Sequence, residues 1–301
     1  MEAQRDRVVG TVLGLALGDA LGAPFEFRRR EEIPDPFPAF ERPWAGGRPG
    51  TTTDDTAMAR NLVRSLTERG RLDAADLLAR HLAWFATDPP DLGNLTRRVL
   101  SGIRDGVPDA ARRYVEERGP EVSATNGSVM YCAPLGAFRA PRPEVLVEEA
   151  PSLSAITHWD QRCRTACLAV TLATAALVRG ADAEAAVVDA LAAVQDREGA
   201  EELEFLVGAA GRVRRIDGPD RGFTLFTAGI GLQVVGEGAG FEDGVRYVVS
   251  LGGDTDTNAA VAGALLGARD GRAALPSAWL GALHERAELE AEAEALAAAS
   301  S

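Results

Sequence analysis

Apolar residues recur at helical spacing in nearly every informative window of this chain. Gly10, Gly14, Gly18 and Gly22 repeat every fourth residue within an apolar run, which puts a smooth strip on one helix face for close backbone approach. Met58, Leu62, Val63 and Leu66 form a stripe that ends at Gly70, and residues 73–85 form another that ends near Pro89 and Pro90. Similar spacing predicts helices over residues 93–105, 109–117, 142–149, 160–178, 182–194, 200–214, 222–234, 241–249, 257–268 and 284–299. No segment alternates between hairpin turns, so strands should be few. Nothing repeats with a solenoid period, and no linker divides the chain. The expected fold class is all-α, a single compact domain over residues 1–301, with the alanine/glutamate tail after about 287 peripheral, as a surface helix or a frayed end. Residues 28–49, rich in proline and arginine, read as an irregular loop, and a long loop inside a compact domain is often functional.

Composition narrows the classes of function. The chain is 46% hydrophobic, enough for a sizeable core, and only 6% aromatic, which favours helices packed through small aliphatic side chains. Against 32 basic residues stand 45 acidic ones, a net charge of -13 that repels nucleic acid and anionic membranes. Every basic residue is arginine, which excludes chemistry that needs lysine, such as Schiff bases and the P-loop. Cys132, Cys163 and Cys167 show no metal-ligand or framework spacing and read as small core residues of a protein in a reducing compartment. Residues 8–25 are long enough to cross a membrane, but Asp19, four glycines and a proline interrupt them, so they read as a buried helix. The expectation is a cytoplasmic monomer without a membrane partner.

Two acidic clusters carry the candidate chemistry. Thr52-Thr53-Asp54-Asp55-Thr56 stands directly ahead of a helical stripe, and alone it reads as a helix cap. Gly252-Gly253-Asp254-Thr255-Asp256-Thr257-Asn258 stands ahead of another; an EF-hand is excluded because Ala259 and Leu265 occupy the positions that need glycine and glutamate. The tandem glycines suggest a tight turn that delivers Asp254 and Asp256 from one backbone corner. Taken together, the clusters offer four carboxylates and several hydroxyls, an oxygen-only set suited to magnesium or manganese and, lacking cysteine and histidine, unsuited to zinc. Four carboxylates drawn together repel one another unless cations lie between them, and two divalent ions balance them formally. Such a pair can polarise a leaving group and generate a hydroxide nucleophile.

These motifs resemble the ADP-ribosylglycohydrolase family. The likeness runs from Gly14 to Trp279 and is most specific at Thr-Asp-Asp-Thr 53–56 and Gly-Gly-Asp-Thr-Asp-Thr 252–257. It implies an orthogonal multi-helix domain in which Thr53, Asp54, Asp55, Asp254, Asp256 and Thr257 hold two magnesium ions, with manganese as a substitute. In Gly18-Asp19-Ala20-Leu21-Gly22-Ala23-Pro24-Phe25-Glu26 it puts Glu26 at the catalytic acid, beside Asp55 and Asp256 as the other catalytic residues. Asn126, Gly127, Ser128 and Met130 would belong to a loop that cradles ADP-ribose; Tyr131 follows where the family pattern has arginine. His158 in Thr157-His158-Trp159-Asp160 would touch the ligand, whereas His81 and His284 read as structural. Asp91 in Pro89-Pro90-Asp91-Leu92-Gly93-Asn94 would face the scissile side, although an N-cap explains it nearly as well. The implied partner is ADP-ribose or an ADP-ribosylated protein, with nucleic acid only as a modified substrate. The implied reaction is hydrolysis of the N- or O-glycosidic bond to ADP-ribose. A metal-dependent phosphohydrolase cutting the pyrophosphate and a non-catalytic ADP-ribose reader are the alternatives.

Overall fold

The computed structural model describes residues 2–42, 44, 47–209 and 215–300. In chain order its α-helices are α1 (Glu2–Gly22), α2 (Asp54–Arg69), α3 (Ala74–Phe85), α4 (Asn94–Arg104), α5 (Ala110–Arg118), α6 (Ala133–Phe138), α7 (Leu146–Ala155), α8 (Gln161–Val178), α9 (Ala183–Ala192), α10 (Ala200–Ala209), α11 (Thr224–Gly236), α12 (Phe241–Ser250), α13 (Thr255–Asp270), α14 (Ser277–Ala282) and α15 (Arg286–Ala299). No strand occurs among the described residues, and an isolated antiparallel bridge joins Thr125 to Phe223. The fold is all-α.

Helix α1 is the spine. Residues 8–22 are buried without a break, so the run that is apolar and long enough to cross a membrane lies inside the protein. Its glycine strip lies against α13: a Cβ on Gly10, Gly14, Gly18 or Gly22 would run into the carbonyl oxygen of Gly267, Gly263, Ala259 or Thr255 respectively. Gly263 and Gly267 return the relationship, so the two backbones touch along four turns of α1. This contact runs antiparallel and sets the end of α1 beside the start of α13, where Thr255 Oγ1 donates to the Gly22 carbonyl at 2.8 Å. The second acidic cluster is thereby delivered to Glu26, four residues past the end of the helix.

Helix α2 is closed by Thr53 at its start and by Gly70, at φ 67°, at its end; Met58, Leu62 and Leu66 face the core. The tail, expected to be peripheral, is integrated into the fold. Leu289, Ala293 and Leu296 of α15 are buried, and Glu292 accepts from both Arg60 and Arg64 on α2. Burying each leucine contributes about 1.5–3 kcal/mol, which outweighs the fraying tendency of an alanine-rich terminus.

Most predicted helices form within two or three residues of the expected limits. The exception at 142–149 has a local reason: Pro143 opens a 3-10 turn, and the α-helix proper starts only at Leu146 and continues to Ala155. Residues 210–214 of the predicted 200–214 helix lie outside the described residues. The short α6 and α14 hold six residues each, too few to display a 3.6-residue period. The 28–49 loop is irregular apart from a 3-10 turn at Arg30–Glu32, and it is pinned by buried Ile33 and Phe37.

Candidate active site

At the first cluster, the local chemistry of a helix start and that of a ligand set coincide. Thr53 is the N-cap of α2 and accepts from the Asp55 amide. Deeper capping comes from Asp19, which projects from the last turn of α1. Its carboxylate accepts from the Thr53 amide at 3.0 Å, from the Thr56 amide at 3.1 Å and from the Thr56 hydroxyl. With Asp19 holding the helix start, Asp54 and Asp55 are free of capping work. Asp54 accepts from the Gly93 amide at 3.3 Å, and Asp55 Oδ1 is buried with no hydrogen-bond partner among the described residues.

The second cluster arrives as expected on two glycines, at φ 73° and 80° for Gly252 and Gly253, where a β-carbon would strike neighbouring backbone. Asp254 sits at the N-cap position of α13 yet makes no side-chain cap. It accepts instead from Asn126 Nδ2 at 2.9 Å, while Asn126 also donates to Thr227 and Thr227 donates to Asn258. Asp256 Oδ1 is a second buried carboxylate oxygen without a partner. The clusters meet at Asp55 Oδ2, which accepts from Thr53 Oγ1 at 3.2 Å and from Thr257 Oγ1 at 3.4 Å. Carboxylate oxygens of Glu26, Asp91 and Asp256 also come within 4.8 Å of one another. Thr53, Asp54, Asp55, Asp254, Asp256 and Thr257 are therefore one group in space, joined by Glu26 and Asp91.

Burial of so many acids has an electrostatic cost. Burial first, and repulsion from neighbouring carboxylates second, push Asp54, Asp55 and Asp256 well above the usual carboxylate range. Glu26 is pushed up to about 8, chiefly by burial and then by Asp91 and Asp254, against a hydrogen bond from the Trp44 side chain. Burial and Asp254 also raise Asp91, while burial lifts Asp19 only to about 6 because the Thr56 and Thr53 bonds oppose it. Among the described residues the cluster has two orphaned buried oxygens and no buried arginine or histidine partner, a donor set that fits hard divalent cations. Glu26 and Asp91 add carboxylate oxygens to the same group.

The cluster forms one end of a cleft of about 680 Å³, within the range of a cofactor-sized ligand. Asn126, Gly127, Met130 and His158 line it, as do Tyr114, Arg162 and Phe223. A β-carbon on Gly127 would lie 2.8 Å from His158 Cε1, so glycine lets the loop pass over the imidazole. His158 is buried, and its two ring nitrogens are engaged by Thr157 Oγ1 at 2.9 Å and Thr125 Oγ1 at 3.0 Å. Burial pushes its pKa down to about 3, so it is a neutral brace behind the loop.

Ser128 departs from expectation. It is fully buried, its hydroxyl pairs with that of Ser154 at 3.0 Å, and it does not line the cleft. Asn126 is also more than a substrate contact, since its amide is committed to Asp254. Tyr131 is buried with its ring against His81, so the departure from the family pattern falls behind the cleft wall. Two site residues are hard to find in sequence: Asp19, whose only signal is an acid within an apolar run, and Arg162, which Asp160 holds at the cleft by paired bonds.

An all-helical scaffold thus gathers acids from distant segments of the chain at one cleft. The sequence model of the ADP-ribosylglycohydrolase family matches residues 1–301, and the chain belongs to that family. It is 31% identical over 272 residues to the ADP-ribosyl-[dinitrogen reductase] glycohydrolase of Rhodospirillum rubrum, covering 87% of this chain and 85% of the relative. It is 28% identical over 282 residues to the ADP-ribosylarginine hydrolase Tri1 of Pseudomonas putida (strain GB-1), covering 89% and 71%. A solved ADP-ribosylglycohydrolase-related protein complex superposes with a TM-score of 0.80 at 32% identity over all of both chains. The protein is a hydrolase that acts on ADP-ribosylated substrates.

Proposed function

We propose that this protein releases free ADP-ribose from an ADP-ribosylated arginine side chain, with two magnesium ions held by Thr53, Asp54, Asp55, Asp254, Asp256 and Thr257. The observation that carries the metal reading is the pair of orphaned, buried carboxylate oxygens on Asp55 and Asp256, one from each cluster. Bound magnesium supplies Lewis acidity at the sugar and lowers the pKa of water. Support for arginine comes from the relatives, one of which is named for ADP-ribosylarginine.

The chain's own groups divide the remaining work. Asp55 and Asp256 carry the negative charge that balances the cations and faces the positive charge developing at the anomeric carbon as the bond breaks. Glu26, raised to about 8 and close to Asp256, is the group placed to exchange a proton at the glycosidic bond. Asn126 holds Asp254 in position, and Gly127 lets the cleft loop pass close over His158. Incubation with ADP-ribosyl-arginine and ADP-ribosyl-serine in magnesium, followed by measurement of free ADP-ribose, tests the linkage. Faster release from serine would overturn the arginine assignment, and AMP as first product would favour a phosphohydrolase.

A further inference from the structure

The rim beside the acids carries a feature that the chemistry above does not use. Phe27 directly follows Glu26, is 53% exposed and has φ 60°. A bulky residue in that left-handed region costs on the order of 1–2 kcal/mol. Its amide is pinned at 2.7 Å to the Gly253 carbonyl, so the fold holds an apolar ring in water at one defined place. Strain of this kind at a cleft points toward a use. The Arg221 guanidinium lies over the ring, 4.6 Å from its centroid. Phe27 and Arg221 both line the cleft, and among the described residues Arg221 forms no ion pair, whereas Arg29, Arg215 and Arg246 each have a carboxylate partner.

We infer that Phe27 and Arg221 form a docking rim for the modified protein, selecting targets whose modified residue is flanked by an acidic side chain. The inference rests on the hydrolase reading, which puts the scissile bond among the acids. A macromolecule attached at that bond must then lay its flanking residues over the edge next to Glu26, where Phe27 stands. A net charge of -13 would repel an acidic partner, and Arg221, with no ion pair among the described residues, offers such a flank a cation beside Phe27. The ring supplies an apolar floor that keeps water from the Arg221 face and strengthens its pairing.

Fluorescence anisotropy with peptides carrying ADP-ribose through a non-hydrolysable linkage tests this independently of linkage chemistry. The native protein should bind an acid-flanked peptide about tenfold more tightly than a neutral one. Phe27→Ala should narrow that ratio, and Arg221→Glu should invert it toward a basic flank. Because both side chains also line the cleft, the deciding readout is the ratio of affinities for the two flanks, which a general loss of ADP-ribose contact leaves unchanged. Equal affinities for the two flanks in the native protein would overturn the rim. So would variants that weaken both peptides equally, since that pattern belongs to an ADP-ribose contact. An inactive native enzyme that still discriminates the flanks would count against the linkage and in favour of the rim.

Discussion

Glu26 and Asp256 sit within a few ångströms of each other, yet substitutions there should behave differently. Glu26→Gln keeps the shape and a coordinating oxygen but cannot exchange a proton near neutral pH. Turnover should fall by about 10²–10⁴-fold, while ADP-ribose affinity, measured by calorimetry, changes far less. Equal losses in both would make Glu26 chiefly an anchor. Asp256→Asn removes one charge from a cluster whose members repel one another. The metal-free protein should therefore melt at a higher temperature than native, and the rise in melting temperature on adding magnesium should shrink or vanish. A variant that is less stable without metal, yet is still stabilised by it, would show that Asp256 serves only the helix start.

At the scale of elements, the contact between α1 and α13 decides where the chemistry sits. Gly14→Ala puts a better helix former in α1, a gain of up to about 1 kcal/mol. The added carbon meets the Gly263 backbone, which cannot swing aside as a side chain would, so the clash should win by about 1–3 kcal/mol. Gly208, in α10, has nothing within 4 Å of its β-carbon position, and Gly208→Ala should be neutral or stabilising. Urea denaturation of the two variants checks this, and equal midpoints would contradict close backbone packing. The glycine strip is legible in sequence because a four-residue period of one residue type has few other uses. The pairing of that strip with Gly263 and Gly267 is not, because nothing local in α13 names its partner. In the same way Thr53–Asp55 and Asp254–Thr257 stand out as motifs, but Asp19 does not. Its importance comes from pointing at amides some thirty-five residues away, and an apolar sequence context only shows that it must have partners. Ser128 illustrates the opposite error, a motif member whose neighbours face the cleft while its own hydroxyl faces the core.

For the whole molecule, the raised carboxylates make stability depend on pH in the direction opposite to that of most salt-bridged proteins. A carboxylate whose folded pKa exceeds its unfolded value binds more protons in the native state, so stability falls as pH rises between the two values. For Glu26 the window runs from about 4.5 to about 8, and for Asp19 from about 3.8 to about 6. Buried, neutral His81 and His158 oppose this trend below about pH 6.5, so the metal-free protein should lose melting temperature from pH 6.5 to pH 8, and magnesium should remove most of that slope. A metal-free melting temperature that rises across this range would contradict the buried cluster of acids.

The account turns on one claim, that the two clusters form a divalent-cation site through which ADP-ribose is released intact. Mass spectrometry of the products from ADP-ribosyl-arginine, before and after exhaustive chelation and again after magnesium is restored, tests it directly. Free ADP-ribose should form with the native enzyme, cease when metal content reaches nil and return with magnesium. Undiminished release from protein shown to be free of metal would contradict it.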